Sequence, residues 1–288
     1  MKVLAMADVH QSVCHWEMLV KAVEKEKPEL VLIAGDLLPK YEGILAQVSF
    51  VHRLKEYASA IRAMRTELIL ILGNDDNQLA IPEMEKGDWE GLWHYIPDRA
   101  RKVKGYEFCG CPWIRDYPFA YKYWVAPDRP GEVYIDPVQL GPPAVINSDN
   151  DIEIIPDLGE YLTSKLSVKE SLENMADRVN DPGRSIWLIH DPPSSMELDL
   201  CATGNRVGNP AVYQFLLERQ PLLSIHGHIH EAPTYNGGIW AAKIGKTWCI
   251  QAGQVEHDLS YVTFNLDLGK VKNLRHSLYG NQGSPRQV

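Results

Sequence analysis

The stretch Leu30-Val-Leu-Ile-Ala-Gly-Asp36 decides the architecture: five apolar residues in an unbroken run, closed by Gly-Asp. A short run without polar alternation reads as a strand buried on both faces, the kind found in parallel sheets. Before it, Val3–Met6 is a second short apolar strand, ending in Asp8-Val9-His10, and His15–Lys25 between the two reads as a helix. After it, Ile44, Val48, Val51, Tyr57, Ile61 and Met64 recur at roughly helical spacing. A third strand, Glu67–Leu72, then runs into Gly73-Asn74-Asp75-Asp76. Strand–helix–strand alternation of this kind implies βαβ units with right-handed crossovers.

From Pro112 to Pro156 the pattern breaks. This stretch holds eight of the nineteen prolines, with Trp113, Tyr117, Phe119, Tyr121, Tyr123 and Trp124. It reads as an irregular insertion at about 112–166, without a core of its own, packed over one end of the main domain. A substrate lid that stacks a base, an oligomer contact and a structural flap are all open roles for it, with the structural one favoured. Regular elements resume with a helix near Val168–Val179 and a strand at Ser185–Ile189. A helix comes next over Ala211–Glu218, with Asn209 as N-cap and Pro210 in the first position. Ser224–Ile225 is a short strand, and Ile239–Ala242, Thr247–Gln251 and Tyr261–Asn265 suggest a second sheet built from hairpins. Residues 1–279 make one domain, and 280–288 a flexible polar tail.

Composition fits a soluble globular protein: 45% hydrophobic, 23% charged, formal net charge −9 over 288 residues. That balance argues against a broad basic face for extended nucleic acid. No apolar run approaches the length of a signal peptide core or a membrane span. Five cysteines, Cys14, Cys109, Cys111, Cys201 and Cys249, are irregularly spaced. They read as reduced thiols of a cytoplasmic protein rather than a zinc site, although Cys109 and Cys111 form a close pair.

The chemistry sits at strand ends. Asp8-Val9-His10, Gly35-Asp36, Gly73-Asn74-Asp75-Asp76, His190-Asp191 and His226-Gly227-His228-Ile229-His230 each come directly after an apolar strand. Ligands of open α/β sheets bind beyond the carboxyl ends of the strands, so five such ends deliver Asp, Asn and His to one edge. A lone Asp after a strand is usually a cap or turn former; the joint pattern carries the weight. Oxygen and imidazole donors without thiolate suit Mn, Fe, Zn, Co or Ni. Gly227 allows close backbone approach beside His228 and His230.

This series resembles the calcineurin-like metallophosphoesterase superfamily, whose motifs run D-x-H, G-D, G-N-H-D/E, H and G-H-x-H. The resemblance spans Asp8 to His230. It implies an α/β, four-layer αββα metallophosphoesterase fold, with two mixed β-sheets flanked by helices. It also implies two divalent transition-metal ions, manganese favoured. Asp8, His10, Asp36 and His230 would hold one ion, and Asp36, Asn74, His190 and His228 the other, with Asp36 bridging. The implied reaction is hydrolysis of a phosphate ester by a metal-bridging hydroxide, without a covalent intermediate. The implied partner is a small phosphate-ester or nucleotide substrate; membrane contact is not expected, and an oligomer is possible.

Departures from the family pattern narrow the expectation. Asp75 stands where strong phosphomonoesterases of the family carry a proton-donating His. A carboxylate beside two dications is held ionised and cannot donate a proton. It repels a monoester dianion more than a diester monoanion, so phosphodiesters, or monoesters with good leaving groups, are the expected substrates. Pro39 replaces the iron-binding Tyr of purple acid phosphatases, and Leu72 the Arg of the protein Ser/Thr phosphatases. The alternatives are a phosphomonoesterase, a nuclease of the same fold, or a scaffold that has lost catalysis. Asp76 and Asp191 could bond a ligand imidazole or cap the next turn; His226 could orient a ligand; Arg206 could touch phosphate or lie on the surface. His15, His52, His94, His257 and His276 read as structural or exposed.

Overall fold

Each early strand is buried because both of its faces have a partner layer. The computed structural model describes residues 1–11, 13–40, 44–147, 151–281 and 286–287. In chain order the first strands are β1 (Lys2–Met6), β2 (Leu30–Ala34), β3 (Glu67–Ile71) and β4 (His94–Tyr95), with helices α1 (Val13–Glu26), α2 (Ile44–Ala63) and α3 (Ile81–Trp89) between them. β5 (Ala100–Val103) and β6 (Tyr106–Cys111) form a hairpin, and β7 (Ala144–Ile146) and β8 (Ile152–Ile154) a small separate pair. Helices α4 (Leu158–Thr163) and α5 (Val168–Ala176) precede β9 (Ser185–Ile189). Then come α6 (Pro210–Arg219), β10 (Leu223–His226), α7 (Ala232–Tyr235), β11 (Ala241–Ile244), β12 (Thr247–Gln251), β13 (Val262–Asp267), β14 (Lys270–His276) and β15 (Arg286–Gln287).

Two mixed sheets result, ordered β14-β13-β1-β2-β3-β4 and β15-β11-β12-β10-β9-β6-β5. Alternation along β1 shows how they stack. Val3 and Ala5 meet Phe108, Leu188 and Ile225 of the other sheet, while Leu4 and Met6 face Trp16, Leu19 and Val51 of α1 and α2. On the far side Trp187, Ile189 and Cys249 pack against Leu172 of α5 and Phe215 of α6. The layers are therefore helix, sheet, sheet, helix, as expected. Cys109 and Cys111 lie in that last apolar layer, and burial pushes the Cys109 thiol up to about 12. Cys109, Cys111, Cys201 and Cys249 are free thiols.

One expectation needs correcting: the late hairpins do not make one second sheet. β11–β12 extends the second sheet, but β13–β14 returns to the first, where β13 runs antiparallel to β1. The insertion packs on the main domain through a shared apolar cluster. Ile114, Tyr117, Val125, Ile155, Leu158 and Leu162 pack with Ile229 and Ala232 of the main domain, and Lys122 is buried in an ion pair with Asp116 (2.7 Å). Such a pair needs further partners to offset desolvation, and Lys122 Nζ also donates to Tyr117 O and Gln139 Oε1. Most of the expected tail lies outside the described residues; within it Arg286–Gln287 pairs beside Ala242 and Lys243.

His276, at the end of β14, is fixed as one neutral tautomer. Its Nε2–H donates to Ala252 O (2.8 Å), and Nδ1 accepts from the Leu278 and Tyr279 N–H groups (3.1 and 3.3 Å). Burial lowers its pKa to about 4. The unfolded chain therefore takes up a proton near pH 6.5, before the fold does. Stability from this residue is complete above that pH and is lost as pH falls toward 4, by about 3 kcal/mol. Urea unfolding of metal-free protein at pH 7, 6, 5 and 4 should lose that much more stability in the native chain than in His276→Asn. Parallel pH slopes in the two proteins would refute it.

Candidate metal centre

The carboxyl ends of β1, β2, β3, β9 and β10 bring the five polar segments together. Asp8 and Asp36 both adopt positive φ, 58° and 54°, so each strand turns sharply just as its carboxylate is presented. Asp8 N–H donates to Gly35 O and His10 N–H to Asp36 O (3.0 Å each), which locks the first two turns to each other. Asp8 Oδ1 accepts from His228 N–H (2.9 Å), and Asp36 Oδ1 from Asp75 N–H (2.9 Å). Gly73 is required by space. A Cβ there would collide with Asp36 Oδ1 and the His190 ring.

Asp36 is central. Its Oδ2 lies 3.3 Å from His10 Nε2 and its Oδ1 3.4 Å from His190 Nε2. Asn74 Oδ1 lies 2.9 Å from His190 Nε2 and also against His228 Nδ1. Asn74 is oriented by its amide, which donates to Asp75 Oδ1 (3.1 Å). His190 Nδ1 faces Ala34 O at 2.7 Å and donates its proton there, so that Nε2 is the nitrogen turned toward Asp36 and Asn74 and open to an ion. His230 sits at the rim, its ring 5.9 Å from that of His10 and its Nδ1 3.7 Å from Glu231 Oε2. All seven expected ligands are thus on one edge.

Lone pairs crowd together here in a way that calls for cations. Asp8 Oδ2, His10 Nδ1 and His228 Nε2 are buried and have no hydrogen-bond partner. Asp8, His10 and Asp36 each offer one donor atom within 4.8 Å of the others, and could hold a metal ion. Without an ion, protons compensate the charge. Burial pushes the His190 imidazole down, but the Asp36 carboxylate beside it more than offsets this, with Asp8 adding, and its pKa rises to about 10. Burial works to raise the Asp36 carboxyl, yet His190 and His10 hold it well below the ordinary range. Burial raises Asp8, and the like charge of Asp36 adds to it. A metal ion would do the work of those protons.

Once this geometry is in place, sequence comparison agrees with it. The profile of the calcineurin-like phosphoesterases matches residues 1–232. The chain belongs to that family. No curated protein sequence matches it. Among solved structures, one at 14% identity and TM-score 0.59 covers 95% of this chain and 98% of its own. TT1561 of Thermus thermophilus, also 14% identical, has a TM-score of 0.57 and covers 96% of this chain and 97% of its own. At that identity both speak for the fold alone. The family makes this calcineurin-like phosphoesterase a metal-dependent hydrolase of phosphoric esters. No helix among its described residues is long and apolar enough to cross a membrane.

The ambiguous residues of this phosphoesterase resolve. Asp76 bonds no imidazole. Its carboxylate accepts from Leu37, Leu38 and Gly73 N–H (2.7–3.0 Å), tying the loop after β2 to the loop after β3. Asp191 accepts from Arg115 N–H, the Tyr117 hydroxyl and the Asn209 amide, which anchors the insertion beside His190. His226 points at Ile189 O, Asp191 O and Ser224 Oγ, beneath the site rather than into it. Arg206 is held by Glu197 (2.6 Å) and Asp199 (3.5 Å).

Three neighbours of the centre carry no signal in the motif series. Lys40 Nζ lies 2.7 Å from Asp75 Oδ2, and that oxygen is 3.6 Å from His10 Nε2. Tyr117 and Phe119, from the insertion, set their rings edge-on to His228 at 4.1 and 6.2 Å. The aromatic density of the insertion is the available hint, but nothing in its spacing ties it to His228.

Proposed function

We propose that this chain is a dinuclear phosphodiesterase acting on small esters in the cytoplasm. One observation carries the reading: Asp8, His10 and Asp36, all buried, each offer a ligand atom within 4.8 Å of the others. Two divalent transition-metal ions, manganese foremost, would be held by Asp8, His10, Asp36 and His230 and by Asp36, Asn74, His190 and His228. Once bound, they supply Lewis acidity toward the phosphoryl group and a nucleophile at neutral pH.

The chain's own groups prepare for this. The Ala34 carbonyl fixes the His190 tautomer, and Asp75 turns the Asn74 oxygen inward. Preorientation of this kind is worth ~10–100-fold in metal affinity. Free thiols at Cys109, Cys111, Cys201 and Cys249 support a reducing compartment. An acidic balance supports a small substrate over extended nucleic acid.

Asp75 supports the diester preference, since its carboxylate, ion-paired with Lys40, faces the site in place of a proton donor. Lys40 favours a second reading. Its ammonium partly offsets the repulsion a monoester dianion would meet. The assay that separates them compares p-nitrophenyl phosphate with bis(p-nitrophenyl) phosphate on the manganese-loaded native chain and on Asp75→His. The native chain should favour the diester, and the variant, which removes the Asp75 charge, should shift the monoester-to-diester ratio of kcat/KM upward by about tenfold, the effect of about 1.4 kcal/mol of relieved repulsion. An unchanged ratio would remove Asp75 from the account of specificity.

A further inference from the structure

A cleft of about 420 Å³ opens directly beside the candidate metal centre. One wall is polar and belongs to the centre: Asn74, Asp75 and Lys40. The opposite wall comes from the insertion and is aromatic: Phe119, Tyr121 and Tyr123. Tyr121 and Tyr123 are stacked face to face, 5.4 Å apart at 12°, so each ring steadies the other. Phe119 and Tyr121 are each 39% exposed, although most large aromatic side chains of this chain are buried. Phe119 also lies against both His228 and Lys40 Nζ (5.4 Å). Aromatic wall and metal site are therefore continuous.

Resting on the phosphoesterase reading above, we propose that this cleft is a subsite for a flat aromatic ring carried by the phosphate ester. The ring would lie against Tyr121 and Phe119 while its phosphoryl group reaches the metal centre past Lys40. The cleft volume falls in the range of small-molecule sites, ~300–1,000 Å³. Exposed aromatic faces beside a cation and a phosphate-handling centre match a substrate with a π-face at one end and an anion at the other. Stacking of a base on an aromatic side chain raises affinity by about 5- to 150-fold. A bulky apolar ester without a ring would gain contact area but no stacking geometry.

Calorimetric titration of the manganese-loaded protein with hydrolysis-resistant phosphonates tests this without turnover. The probes are the methylenephosphonate analogues of ribose 5-phosphate and of adenosine 5'-phosphate, and phenylphosphonate, all dianions, which separate a sugar, a nucleobase and a plain aryl group. At least one ring-bearing probe should bind tenfold or more tightly than the ribose analogue, and which one identifies the source of the ring. That advantage should fall below threefold in Tyr121→Ala and in Phe119→Ala. Equal affinity of all three probes for the native chain would overturn the subsite. So would an advantage that survives both substitutions. If the ring advantage is absent while bis(p-nitrophenyl) phosphate is still hydrolysed, the subsite fails and the phosphoesterase reading stands. If the advantage is present but no ester is hydrolysed, the cleft stands and the catalytic reading fails.

Discussion

Asp36→Ala should lower kcat/KM for bis(p-nitrophenyl) phosphate by at least ~1,000-fold, equivalent to about 4 kcal/mol of transition-state stabilisation. The size comes from position. Asp36 faces His10 through one oxygen and His190 through the other, and it also receives the Asp75 N–H. Asp8, the other carboxylate among the expected ligands, reaches the second half through the His228 N–H and not through an imidazole. The isosteric Asp36→Asn separates charge from shape. It should keep the fold yet release both metals, and in metal-free protein it should bring the His190 pKa down from about 10, because the Asp36 charge is what holds it there. NMR titration of the His190 ring reads the second effect, metal analysis the first. A variant that retained full turnover would end the scheme.

Asp76→Ala should be the most destabilising single change near the site, costing about 3–5 kcal/mol in urea unfolding, because each buried donor left unpaired costs ~1–3 kcal/mol. The side chain is fully buried, and three backbone N–H groups converge on it. The site is too enclosed for bulk water to replace the carboxylate freely. Burial, with the Asp36 charge adding, pushes the Asp76 carboxyl up to about 7, and the three N–H groups oppose that rise. Because Leu37 and Leu38 come directly after Asp36 while Gly73 precedes Asn74, losing this tie also frees two ligand loops. Metal affinity should fall with stability. Asp76→Ala with native stability and native metal content would show that the loops hold each other without it.

How far the sequence reveals these relations depends on what each residue obeys. The parallel strands are legible because Leu30–Ala34 and Ser185–Ile189 are buried on both faces and so carry no polar residue that matters to their pairing. Their ends are legible because a turn must come next, and each turn carries Asp, Asn or His. β14 is not, since Lys270–His276 is an edge strand with most side chains in solvent and no apolar face to betray it. α3 is hidden for a similar reason: Ile81–Trp89 buries little beyond Met84 and Gly87, and Trp89 is 90% exposed. Within the site, residues fixed by a local turn can be read, whereas those delivered by long-range folding cannot. Tyr117 and Phe119 reach the centre only because the insertion folds onto Ile229 and Asp191. Asp76 is conspicuous in the sequence but its partners are not, because the N–H groups it gathers lie 39, 38 and 3 residues away.

The central claim is a pair of ions sharing Asp36, and anomalous diffraction from crystals of manganese-loaded protein tests it most directly. The account predicts two anomalous peaks ~3.5–4 Å apart, one among Asp8, His10 and His230, the other among Asn74, His190 and His228, with the Asp36 carboxylate between them. A single peak, or a second one away from Asn74, His190 and His228, would contradict it.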